Sequence, residues 1–78
     1  MASYIETKMS VVHVKLIDEL IPVWRPVSAR QNEDGSYFIE AQVIPDGEEW
    51  EYNPGDNVIV EAHDNEQGKY VIAIGLRE

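Results

Sequence analysis

Short runs of alternating apolar residues, separated by turn signals, constrain this chain most. In residues 9–17, Val12, Val14 and Leu16 fall on one face of an extended chain, while His13 and Lys15 fall on the other. This two-residue period is typical of a β-strand that is buried on one side. No window has the three- to four-residue spacing of an amphipathic helix. The chain is therefore predicted to be all-β.

Four further strands follow from the same alternation. They are predicted over residues 23–30, 37–44, 57–63 and 69–76, with a short extended piece over 50–52. Glycine and proline turns separate them at 34–35, 45–47, 53–56 and 64–68. In the third strand, Ile39 and Val43 are expected on the same face. Pro26 has no amide hydrogen, which predicts an edge position or a bulge in the second strand.

Five strands in such a short chain favour a closed sheet. Several strands carry apolar residues on both faces, and closure buries one face and removes exposed edges. The prediction is a small five-stranded antiparallel SH3-like barrel. The alternative is an OB-type barrel, which usually carries a helix that this sequence does not predict. Residues 9–78 are expected to form a single domain and residues 1–8 an N-terminal extension.

The charge balance limits the partners. The chain has 15 acidic and 6 Lys and Arg residues, a net charge of -9. Such a field repels phosphate backbones, so direct nucleic-acid binding is not expected. The chain has no cysteine, which excludes disulfides and cysteine-based zinc sites. No apolar run approaches a membrane span or a signal-peptide core, which predicts a cytoplasmic protein without membrane contact.

Two tryptophan segments carry the candidate functional residues. Residues 23–27 and 48–56 each place a tryptophan beside charge and a proline. One tryptophan is expected in the core, and the other would form an aromatic shelf with Tyr52 for a proline-rich peptide or a cationic group. Arg25 is predicted to pair with Glu49 or Glu51. The candidate partner-binding residues are Trp24, Arg25, Glu48, Glu49, Trp50, Glu51 and Tyr52.

No metal site is assigned from the sequence. His13 and His63 alternate with the apolar residues of their strands and are expected to be exposed. Carboxylates at 18, 19, 46, 48, 49 and 51 predict an acidic rim, but they lack the spaced Asp-x-Asp-x-Asp-Gly pattern of a calcium loop. Cation binding therefore remains an alternative only.

The tryptophan segments also carry a resemblance. Residues 14–19, 23–27 and 48–58 read VKLIDE, VWRPV and EEWEYNPGDNV. This pattern resembles a group of small bacterial proteins of uncharacterised activity, over about positions 11 to 74. The resemblance implies a recurrent bacterial barrel domain, and it implies no particular activity.

The expected function is binding rather than catalysis. The chain has no glycine-rich phosphate loop and no serine in a Gly-x-Ser-x-Gly elbow, so neither an enzyme nor a cofactor is predicted. The favoured interpretation is a protein-interaction module with a basic partner. Alternatives are a barrel that binds a cation or small ligand, an acidic mimic of nucleic acid that acts as an inhibitor, and a homodimer formed through an edge strand near Pro26.

Overall fold

Five β-strands account for the regular structure. The computed structural model describes residues 10–78, so the predicted extension over 1–8 lies outside the described residues. The strands are β1 (Ser10–Lys15), β2 (Trp24–Gln31), β3 (Tyr37–Ile39), β4 (Asn57–Asn65) and β5 (Gly68–Leu76). No helix occurs within residues 10–78. The all-β prediction is confirmed.

The strands form one closed sheet in chain order. Each strand pairs antiparallel with the next, and β5 returns to β1 to close the barrel. The closing pair is parallel, through His13 and Ile72. An up-and-down order with an odd number of strands requires this, because the first and last strands then run in the same direction. The five-stranded barrel prediction is confirmed, and the fold is consistent with SH3-like and OB-type barrels.

Alternate residues of each strand fill the barrel. Within residues 10–78, the nine buried apolar residues are Val12, Val14, Leu16, Val27, Ala29, Ile39, Trp50, Val58 and Ala73. The inward face predicted for β1 is confirmed. Among residues 10–78, the buried core is made almost entirely of aliphatic side chains, and Trp50 is its only aromatic ring.

The third strand is shorter than the sequence predicts. It ends at Ile39 instead of residue 44, and Val43, expected on the same face, is 88% exposed. The side chain of Gln42 replaces the main chain of a longer strand. Its Oε1 accepts the Ser28 amide at 3.1 Å, and its Nε2 donates to the Ser28 carbonyl at 3.0 Å. This contact satisfies the main-chain hydrogen-bonding groups of Ser28 in β2 without extending β3. The two-residue alternation of β3 therefore stops at Ile39.

The hairpin between β4 and β5 is longer than predicted. Its turn contains only residues 66 and 67, and the Asn65 side chain accepts the Gln67 amide at 2.8 Å. β3 pairs with β4 only at Asn57 and Val58. The rest of β4 is paired with β5 alone in this register, so the end of the hairpin is a two-stranded ribbon.

Pro26 occupies the kind of position that the sequence predicts. It pairs with His13 of β1, whereas β3 pairs with β2 only over Ala29 to Gln31. The missing amide hydrogen therefore falls where β2 has a single strand neighbour. The edge position is confirmed.

Candidate functional site

The second tryptophan segment lies against the end of β1. Leu16 and Trp50 form an isolated antiparallel bridge. The Ile17 amide donates to the Glu49 carbonyl at 2.7 Å, and the Glu51 amide donates to the Lys15 carbonyl at 2.9 Å. These bonds place residues 48–51 beside the loop over 17–22. The predicted acidic rim includes carboxylates of both segments, but the sequence does not identify the contacts that bring the segments together.

Trp50 is the tryptophan of the core. Its side chain is 3% exposed, and its indole Nε1 donates to Glu48 Oε1 at 3.0 Å. Trp50 therefore cannot contribute to an aromatic shelf on the surface. The tryptophan left for the predicted shelf with Tyr52 is therefore Trp24.

Arg25 pairs with Glu48, so the predicted partners Glu49 and Glu51 are wrong. Arg25 Nε donates to Glu48 Oε1 at 2.6 Å, and the terminal nitrogen contacts the second carboxylate oxygen. Alternation explains the choice. Glu48 lies on the same side of the extended segment as the buried Trp50, and Glu49 and Glu51 lie on the opposite side.

The Arg25–Glu48 pair also sets the charge state of both groups. Hydrogen bonds from Arg25 and then from Trp50 hold the pKa of Glu48 below its usual value. The hydrogen bond to Glu48 raises the pKa of Arg25. Three of the predicted binding residues, Arg25, Glu48 and Trp50, thus form one internal network. This network holds residues 48–51 in place.

The other four candidates remain accessible. Trp24 is 42% exposed, Glu49 and Glu51 are exposed, and Tyr52 is half-buried. Burial raises the pKa of the Tyr52 phenol, and the Glu51 carboxylate adds to this effect. Trp24, Glu51 and Tyr52 line one wall of an open groove of about 990 Å³.

An apolar loop borders this wall. Leu20 is fully exposed and Ile21 is 69% exposed. Asp18, which begins the loop, has a left-handed φ of 66°. Pro22 lines both the groove and a smaller concavity formed by the loop itself. The loop and Trp24 therefore present exposed apolar side chains on both sides of Pro22.

The wall of the groove that β1, β4 and β5 form contains residues that the sequence did not identify as a site. His13, His63, Glu61, Tyr70 and Ile72 all line it. The Tyr70 ring meets His13 edge-on, with centroids 5.2 Å apart, and stacks on His63 at 5.6 Å. His63 Nε2 lies 2.8 Å from Glu61 Oε1.

The exposed position predicted for His13 is wrong, because its residue is half-buried and its Nδ1 is buried, whereas the His63 side chain is 37% exposed. Both rings point outward, as the alternation requires, but Tyr70 covers them. His63 lies opposite Tyr70 in the register of the β4–β5 hairpin. A prediction of the two-residue turn over 66–67 would have given this pairing, because the turn fixes the register. The contact between His13 and Tyr70 depends on barrel closure, which has no local signal.

Within residues 10–78, no three His, Cys, Asp or Glu side chains are grouped so that they could hold a metal ion. In the same part of the chain, no helix has the length and apolar character needed to span a membrane.

Comparisons with known proteins give no relative. The chain matches no family model, and no curated protein or solved structure is significantly similar to it. The resemblance to small bacterial proteins therefore stays a prediction.

Proposed function

We propose that this barrel is a non-enzymatic protein-interaction module that binds a basic segment of a partner. The observation that carries the proposal is the exposure of Trp24 on a groove that Tyr52 and the Glu51 carboxylate also line. Following the resemblance to bacterial proteins, the partner is expected in the cytoplasm of a bacterial cell.

Trp24 has the properties of an interface anchor. Tryptophan is enriched among the residues that dominate binding energy, because it contributes a large rigid area. Removing apolar surface from water stabilises a complex by roughly 25 cal/mol per Å². Leu20 and Ile21 extend the exposed apolar surface beside Trp24. Exposed apolar residues in contiguous groups often mark contact sites for other proteins.

The charges favour a basic partner. Each arginine within residues 10–78 is already paired with a carboxylate: Arg25 with Glu48, Arg30 with Glu40 and Arg77 with Asp34. Glu49 and Glu51 form no ion pair with another described residue. A surface that carries unpaired carboxylates steers positively charged partners and speeds their association. The same field disfavours direct contact with nucleic acid.

Affinity capture from a lysate of the source cells tests the contribution of Trp24. The protein is compared with Trp24→Ala and with Val43→Ala, which removes apolar atoms at an exposed position away from the groove. We expect a basic partner to be retained by the wild type and by Val43→Ala and to be lost with Trp24→Ala. The emission of the buried Trp50 reports that each variant is folded. Equal capture by all three proteins would contradict the proposal.

A second comparison tests the contribution of charge. Glu51→Gln neutralises a groove carboxylate, and Glu33→Gln makes the same change in the exposed turn before β3. We expect Glu51→Gln to slow association with the captured partner, while Glu33→Gln has a smaller effect. An equal effect of the two variants would show that only the net charge matters and that the groove is not the contact surface.

A further inference from the structure

We propose that the groove binds one extended segment of the partner, and that a basic side chain of this segment is held by Glu61, His63 and Tyr70. The inference rests on the proposed function and extends its site to β4 and β5. It assigns binding roles to residues on the wall opposite Trp24.

The length of the wall sets the size of the occupant. β5 lines the groove from Gly68 to Ile74, with the exception of Val71. A strand rises roughly 3.3 Å per residue, so this wall is about 20 Å long. A fully extended segment of about six residues spans the same length. Trp24 and Tyr52 on the other wall provide apolar contacts along it.

The aromatic group on this wall is held in place before any ligand arrives. Tyr70 is contacted by His13 at its edge and by His63 on its face. His13 Nδ1 is buried and has no hydrogen-bond partner among residues 10–78, so ring contacts rather than hydrogen bonds fix this imidazole. A rigid aromatic wall reduces the ordering cost of binding. Planar guanidinium groups pack well on such rings.

Carboxylates on the two walls supply the charge complementarity. Glu61 Oε1 is oriented by His63, and Glu51 stands on the opposite wall. Lys69 also lines the groove, and in the strand register it lies directly opposite the acidic Asp64. The groove lining therefore contains two carboxylates that favour a basic segment and would repel an acidic one.

A titration monitored by NMR tests this inference directly. The probe is an amidated hexapeptide of alternating arginine and leucine, added to the 15N-labelled protein. We expect saturable shifts of the amides of Glu61, His63, Tyr70 and Ile72. A hexapeptide with citrulline in place of arginine keeps the shape and removes the charge, and it should leave these amides unshifted. Equal shifts with both peptides would overturn the inference.

Two matched variants separate this site from general attraction to an acidic protein. Glu61→Gln removes the groove carboxylate. Glu66→Gln makes the same change on the same hairpin, at a residue that does not line the groove. We expect the Kd of the arginine peptide to rise about tenfold with Glu61→Gln, the value of one charge-assisted hydrogen bond. Glu66→Gln should change it less than about twofold. Equal increases would overturn the inference.

The two proposals fail in different ways. If the peptide leaves the β4 and β5 amides unshifted while partner capture still requires Trp24, the inference is wrong and the interaction module stands. If the peptide binds as expected but capture does not require Trp24, the proposed function is wrong and the basic-segment site stands.

Discussion

At the scale of single residues, alternation decides which neighbours bind a partner and which hold the fold together. Arg25 pairs in register with the buried Val14 and reaches Glu48, whereas Trp24 pairs with Lys15 and points outward. Adjacent positions of one motif thus have opposite roles. Residue type alone suggested a common role for both.

Asp34 gives a residue-scale prediction about pH. Its carboxylate accepts hydrogen bonds from the Ser36 hydroxyl at 2.6 Å and the Ser36 amide at 3.0 Å, and it pairs with Arg77. The hydroxyl contributes most to lowering its pKa, followed by the amide and then Arg77, and the pKa falls from 3.8 to about 2. A carboxyl whose pKa is lower in the folded state stabilises that state above the unfolded value. This contribution is lost as the pH falls from 3.8 to about 2.

We therefore expect Asp34→Asn to be less stable than the wild type at pH 7 and to lose less stability between pH 3.8 and about 2. Urea unfolding at a series of pH values measures both effects. Asp46→Asn, in another exposed turn, is the control, because the Asp46 side chain makes no hydrogen bond with another described residue. Parallel pH profiles for Asp34→Asn and the wild type would show that Asp34 does not cause the loss of stability at low pH.

At the scale of elements, a side chain limits the length of β3. Gln42 bonds both main-chain groups of Ser28, as a paired strand residue would do. Its Nε2 also donates to the Glu40 carbonyl at 2.8 Å. Because the amide side chain provides these bonds, residues 40–45 are free to leave the sheet and lead to the second tryptophan segment. The short β3 thus helps to position the groove wall.

Replacing Gln42 tests this role. We expect Gln42→Ala to lower the free energy of unfolding by about 1 kcal/mol, because the Ser28 amide loses its partner, while the Ser28 carbonyl keeps the Glu40 amide. Urea unfolding gives the free energy, and hydrogen exchange should show faster exchange of the Ser28 amide. Gln67→Ala, in the exposed β4–β5 turn, is the control and should change stability by less than about 0.5 kcal/mol. Unchanged protection of the Ser28 amide would contradict the role given to Gln42.

At the scale of the whole molecule, the excess of carboxylates opposes folding. The net charge is -9, and two of the three arginine ion pairs, those of Arg30 and Arg77, are at exposed positions where such pairs contribute little. Repulsion among the remaining carboxylates destabilises the compact state. The acidic surface that would attract a basic partner therefore has a cost in stability.

Salt should relieve this cost. Raising NaCl from about 10 mM to about 200 mM shortens the screening length from roughly 30 Å to under 10 Å. We expect the free energy of unfolding in urea to rise by up to about 1 kcal/mol. The double variant Glu49→Gln and Glu51→Gln has less repulsion and should gain less. A fall in stability with salt would show that the ion pairs outweigh the repulsion.

The sequence by itself determined the features that depend on neighbours along the chain. The inward face of β1 follows from the two-residue period, and the turn over 53–56 follows from its Pro-Gly pair: Gly55 adopts a φ of 96°, and the Asp56 amide donates to the Asn53 carbonyl at 3.0 Å. With five such strands, closure into a barrel was the arrangement that buries one face and removes the edges.

Only the tertiary structure decided which side chains meet. The burial of Trp50, the choice of Glu48 as the partner of Arg25, and the contact of His13 with Tyr70 join residues on different strands or segments. Each depends on the register of strands and on the closure of β5 onto β1. Register is set by the summed packing of the whole barrel rather than by local residues, so no local pattern encodes the groove.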